Sequence, residues 1–176
     1  MCNASRTPPT ACRSCCTCRD DGIGPAAIEN LCRIPQVVGV KWASPTPLRL
    51  AEAMACVPDR DIAWVCGLAE PWAPPMYAVG ASGFTSGLIN VLPALSVAIH
   101  VALAQGHYAK AMELIRGMAE FEALRAKERN GSNVSVVKAA LQLTGRDCGA
   151  ARPPATWPLP PEDHAQLVRL VATWGS

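Results

Sequence analysis

Apolar residues crowd into two short runs without polar alternation, Val-Val-Gly-Val-Lys-Trp-Ala at 37–43 and Ile-Ala-Trp-Val-Cys at 62–66. The first is bounded by Pro35 and Pro45, and the second ends at Gly67. Runs of this length read as strands buried on both faces. A third strand is expected at 84–86, after the turn Gly80-Ala81-Ser82-Gly83. Elsewhere the signals are helical. They predict a short helix over 25–32 with Pro25 in its first turn, and another over 47–56 with Thr46 as N-cap and Pro47 at N1. A proline-rich helix is expected over 74–79, and one over 93–105 ending at Gly106. Tyr108, Met112, Ile115, Met118 and Phe121 fall on one face of a helix predicted over 107–127. Helices over 134–143 and 162–174 complete the pattern, separated by a loop at 145–161.

Strand, helix, strand, helix, strand, helices is the order of parallel strands joined by right-handed crossovers. Three strands cannot close a barrel, which takes about eight. An open sheet of three would leave an edge bare. The expected fold class is therefore α/β, the rear part of a larger architecture. Three regions are expected: 1–18, 19–92 and 93–176. The first is rich in Ser, Thr, Pro and Cys without periodicity and reads as unstructured. The second carries the strands, and the third is helical.

Composition removes several function classes. Half of the 176 residues are apolar, 17% are charged and the formal net charge is +2. A disordered acidic or basic protein is excluded by those values. No Lys/Arg stripe with interleaved aromatics is present, so nucleic acid is not an expected partner. The stretch 88–104 is interrupted by Asn90, Pro93, Ser96 and His100, so it reads as loop and core helix and no membrane span is expected. Residues 1–21 lack the apolar segment of a signal peptide, so the expected compartment is the cytoplasm.

The candidate chemistry centres on Lys41. A lysine at the C-terminal end of a buried parallel strand loses hydration, which lowers its pKa and frees an amine able to attack a carbonyl. The plainer reading is a lysine marking where the strand reaches solvent. Cys12, Cys15, Cys16 and Cys18 have the spacing of zinc thiolates, but histidines or a second pair at matching spacing are lacking, and an unstructured tail is the simpler reading. Gly80 and Gly83 could approach a phosphate but read rather as a tight turn into a strand. His100 and His107 read as ordinary helix residues. Lys138 is expected to be a solvated head on a packed stem.

Six segments, taken in order, carry a resemblance. They are Val37-Val38-Gly39-Val40-Lys41, Trp64-Val65-Cys66-Gly67, Gly80-Ala81-Ser82-Gly83-Phe84-Thr85-Ser86, Asn90-Val91-Leu92-Pro93, Val136-Val137-Lys138-Ala139-Ala140, and the Arg152-Pro153-Pro154 loop before the last helix. Over 19–174 the chain resembles the C-terminal half of the dihydrodipicolinate synthase / N-acetylneuraminate lyase family. The resemblance implies a partial (β/α)8 barrel, strands six to eight, followed by C-terminal helices. It makes Lys41 the Schiff-base lysine on strand six. Gly67 would end strand seven, and Thr85 on strand eight would turn its backbone to a bound 2-oxo acid such as pyruvate. Arg19 would correspond to an arginine that meets a second carboxylate of the substrate. The implied activity is a class I lyase, aldolase or dehydratase, needing no metal or dissociable cofactor, and a homo-oligomer is expected. Two family features are missing. No tyrosine stands near Thr17 and Cys18, where the family places a proton relay, and nothing matches the Gly-Thr-Thr-Gly-type carboxylate-binding segment. Trp42 and the loop 68–72 depart from the common synthase pattern. The other reading is a non-catalytic fragment that assembles with a partner chain.

Overall fold

The computed structural model of the chain describes residues 14–18, 23–153 and 158–174. Its centre is a four-stranded parallel sheet in the order β1-β2-β3-β4, with β1 Ser14–Cys18, β2 Val37–Trp42, β3 Ala63–Cys66 and β4 Gly83–Phe84. Helices α1 Pro25–Cys32, α2 Pro47–Ala55 and α3 Ala73–Ala78 make the crossovers. They bury one face of the sheet. Cys18, Val40, Trp42, Trp64 and Cys66 pack there against Ile28, Cys32, Leu50, Ala53 and Met76. Each large apolar side chain fully enclosed in such a layer stabilises the fold by about 1.5–3 kcal/mol.

Helices then take over: α4 Leu88–Val91, α5 Pro93–Ala104, α6 Tyr108–Arg116, α7 Ala119–Ala126, α8 Asn133–Leu143 and α9 Pro161–Thr173. Two further clusters hold them. Ala73 of α3 packs with Ile99, Leu103, Ala111 and Ile115. Leu88 and Val91 pack with Phe121, Leu124, Val136, Ala140 and Leu167. No helix among the described residues is long and apolar enough to cross a membrane.

Several expectations need correction. Residues 14–18 are not unstructured. They form β1, because the bare edge of β2 offers a row of backbone donors and acceptors that any extended segment of small residues can satisfy. Residues 1–13 of the expected unstructured region lie outside the described residues. The sheet consequently has four strands where three were predicted. Lys41 of β2 is only half-buried, and Cys15 and Thr17 on the same face are exposed, so the sheet is not covered on both faces. β4 covers Gly83–Phe84 rather than 84–86, with Thr85 just beyond it. The single helix predicted over 107–127 is two, broken at Gly117 and Met118, where glycine weakens the helix interior.

The glycine turn before β4 has a backbone cause. Gly80 has φ +116, and a Cβ there would lie 2.7 Å from Met54 Cε on α2. The positive φ is what calls for glycine, since the Met54 tip could swing aside. This supports the turn reading of Gly80 and Gly83.

Candidate functional site

Three parallel strands deliver Lys41, Gly67 and Thr85 to one edge of the sheet. Lys41 sits one residue before the end of β2 and pairs with Thr17 on β1 and Val65 on β3. Gly67 directly follows β3, and its N–H donates to the Trp42 carbonyl at 2.6 Å. Thr85 directly follows β4, and its N–H donates to the Cys66 carbonyl at 2.8 Å. The ladder therefore continues one residue past each strand and locks the three positions side by side. Lys41 is half-buried, and Thr85 is exposed. None of the ion pairs among the described residues engages the Lys41 ammonium.

The register places Lys41 on the face away from the helices. Cys15, Thr17, Ala63 and Thr85 share that face and are exposed, while the other face is closed. Val65, paired with Lys41, is half-buried on the same face. Arg19 lies outside the described residues, so the structure places Lys41, Gly67 and Thr85 together and leaves Arg19 aside.

Below the site lies a buried polar layer that sequence reasoning missed. Glu70, in the 3-10 turn Glu70–Trp72, is fully enclosed at 0% exposure. Its Oε1 accepts hydrogen bonds from Ser86 Oγ at 2.7 Å and Ser96 Oγ at 2.6 Å. Next to it, Arg125 (8% exposed) donates to Glu122 Oε1 at 2.5 Å and Asn133 Oδ1 at 2.9 Å. Burial pushes the Glu122 carboxyl above its usual range, Arg125 pulls it back only in part, and Glu70 adds to the rise. Gly87 admits this arginine, since a Cβ there would meet Arg125 Nε at 2.7 Å. Cys66, between Lys41 and the helices, has its thiol pushed up chiefly by burial, which keeps it protonated and unreactive.

Other singled-out residues take structural places. Lys138 is not a solvated head: its Nζ donates to the carbonyls of Cys148, Gly149 and Ala150 at 3.2, 3.0 and 3.0 Å. The loop folds back over α8, and its carbonyls need donors. His100 Nδ1 meets the Tyr77 hydroxyl at 2.7 Å, and burial pushes that phenol up to about 12. Among the described residues no three His, Cys, Asp or Glu side chains are grouped to hold a metal ion. Cys12 lies outside them.

The structure thus brings Lys41, Gly67 and Thr85 to the C-terminal ends of adjacent parallel strands, the edge at which barrel enzymes carry their chemistry. The Dihydrodipicolinate synthetase family profile matches residues 19–173, and the chain belongs to that family. It is 32% identical over 142 residues to a probable 5-dehydro-4-deoxyglucarate dehydratase of Rhizobium rhizogenes, an alignment covering 79% of this chain and 46% of that protein. A 4-hydroxy-tetrahydrodipicolinate synthase of Corynebacterium urealyticum is 32% identical over 130 residues, 74% of this chain and 42% of that protein. In three dimensions the chain is similar to dihydrodipicolinate synthase from Oceanobacillus iheyensis, with a TM-score of 0.85, 37% identity, and coverage of 93% of this chain and 54% of that one. The fold is thus of the TIM-barrel α/β type. The chain spans about half the length of the curated relatives it matches.

Proposed function

We propose that Lys41 forms a Schiff base with pyruvate or another 2-oxo acid, in a lyase reaction of the aldolase or dehydratase type. The observation that carries this reading is the alignment of Lys41, Gly67 and Thr85 at the C-terminal ends of three adjacent parallel strands. In this reading β2, β3 and β4 correspond to strands six, seven and eight of a full barrel. The Lys41 amine attacks the carbonyl carbon, water leaves, and the resulting iminium withdraws electrons from the neighbouring carbon. A carbon–carbon bond then breaks or forms there, or a hydroxyl leaves. No metal or dissociable cofactor takes part. Gly67 keeps the space beside the lysine open, and the Thr85 main chain faces the bound acid. Arg19 would meet a second carboxylate on the substrate. Relatives named as dehydratases and as synthases both match, which supports the reaction type and leaves the substrate at the level of a 2-oxo acid.

Borohydride reduction in the presence of pyruvate tests this directly. A reduced adduct located on Lys41 by peptide mass spectrometry, and absent in K41A, is the expected result. No adduct, or an adduct on another lysine, would overturn the reading.

A second reading has its own support: assembly with a partner chain. The sheet face that carries Lys41 leaves Cys15, Thr17, Ala63 and Thr85 exposed, whereas a closed barrel would bury them. Sedimentation over a concentration series decides it. A monomer at every concentration removes this alternative.

A further inference from the structure

Glu70 is a carboxylate with no access to water, in a turn where an acid would ordinarily be solvated. The residue before it is Ala69, at φ 67 and ψ −171, a conformation that glycine alone adopts without strain. The chain therefore bends against its own preference to carry Glu70 inward. Both hydrogen bonds it receives fall on Oε1, from Ser86 and Ser96, while Oε2 is buried without a partner. Ser86 Oγ also accepts the Ile89 N–H at 3.3 Å, at the start of α4. One carboxylate oxygen thus links the loop after Gly67 to the residue after Thr85 and to α5.

We propose that Glu70 is a positioning residue for the lysine site. Its carboxylate latches the Thr85–Ser86 segment to the loop after Gly67, and so holds the Thr85 main chain against the end of β3, one strand over from Lys41. This rests on the reading of Lys41, Gly67 and Thr85 as the 2-oxo acid site. The working part of the proposed latch is the one oxygen that receives both hydroxyls. Glutamine keeps that acceptor, and alanine removes it.

The test uses the full chain in four forms: native, E70Q, E70A and S86A. Two quantities are read in each: the pyruvate concentration for half-maximal borohydride trapping on Lys41, and the exchange rate of the Thr85 amide. In E70A and S86A the half-saturating concentration is expected to rise at least tenfold and Thr85 exchange to accelerate at least tenfold. In E70Q both are expected to stay within threefold of native. S86A, which leaves the core intact, carries the test should E70A fail to fold. Native values in folded S86A would overturn the proposal, as would a loss in E70Q equal to that in E70A. Should native protein give no adduct while Thr85 exchange responds as expected, the Schiff-base reading falls and the latch stands. Unchanged Thr85 exchange overturns the latch itself.

Discussion

Gly67 packs directly on the stem of Lys41. A Cβ built at residue 67 would lie 2.9 Å from Lys41 Cε and 3.0 Å from its Cγ, and 2.9 Å from Ala43 Cβ. Real side chains do not tolerate such distances. The glycine is therefore a condition on the lysine's rotamer, set by the neighbouring strand.

Gly67→Ala accordingly displaces the Lys41 side chain. The expected cost in stability is about 1–3 kcal/mol, as for overpacking elsewhere. Trapping of pyruvate on Lys41 is expected to fall at least tenfold at fixed concentration. Urea denaturation alongside borohydride trapping separates the two effects, and native trapping in this variant contradicts the packing argument.

Ala69→Gly is expected to stabilise the chain. Relief of the strained backbone at φ 67 is worth about 1–3 kcal/mol, against about 0.5–1 kcal/mol of added unfolded-state freedom. The net gain, about 0–2.5 kcal/mol, is read from the midpoint of urea unfolding. A loss of stability would show that the alanine methyl contributes more by burial than its backbone costs.

Glu122 confers a pH dependence with a definite sign. Its folded-state pKa is raised above the ordinary 4.5, so the folded protein holds this proton more tightly than the unfolded chain does. Stability from this group is full below pH 4.5 and is lost as pH rises through the raised value. E122Q keeps a neutral side chain throughout. The stability of E122Q relative to native is expected to increase as pH rises from 4.5 toward 7, followed by urea unfolding at each pH. A flat difference contradicts it.

Lys138→Met keeps the apolar stem and removes the ammonium that holds three carbonyls. The loop 148–153 is expected to become protease-sensitive, with a stability loss of about 1–2 kcal/mol for the exchange of charged hydrogen bonds for water. Limited proteolysis mapped by mass spectrometry checks the site of cleavage. Unaltered resistance in that loop contradicts the anchoring role.

Lys41 could be singled out from sequence because its signal is local. Val37 to Trp42 is continuously apolar apart from its lysine, so the strand and the exceptional residue declare themselves together. Gly67 and Thr85 enter as candidates through the family resemblance, since the local pattern shows only a strand ending at Gly67 and another over 84–86. β1 was not legible for the opposite reason: Ser-Cys-Cys-Thr-Cys has no apolar period, and its extension is decided by the open edge of β2. Glu70 reads as a solvated loop acid until Ser86 and Ser96, 16 and 26 residues further on, fold over it. Lys138 is hidden in the same way, by carbonyls 10 to 12 residues away that no local pattern announces.

The order of strands in the sheet is also their order in the chain, and that has a kinetic consequence. Every ladder forms between consecutive strands, so each new pairing closes a loop of one helix and its turns rather than a long excursion. Lys41, Gly67 and Thr85 come into register by successive short closures, without waiting for the helices from α5 onward. The edge that carries Lys41 can thus assemble early in folding, with the Glu70 contacts to Ser86 and Ser96 added as the later helices dock.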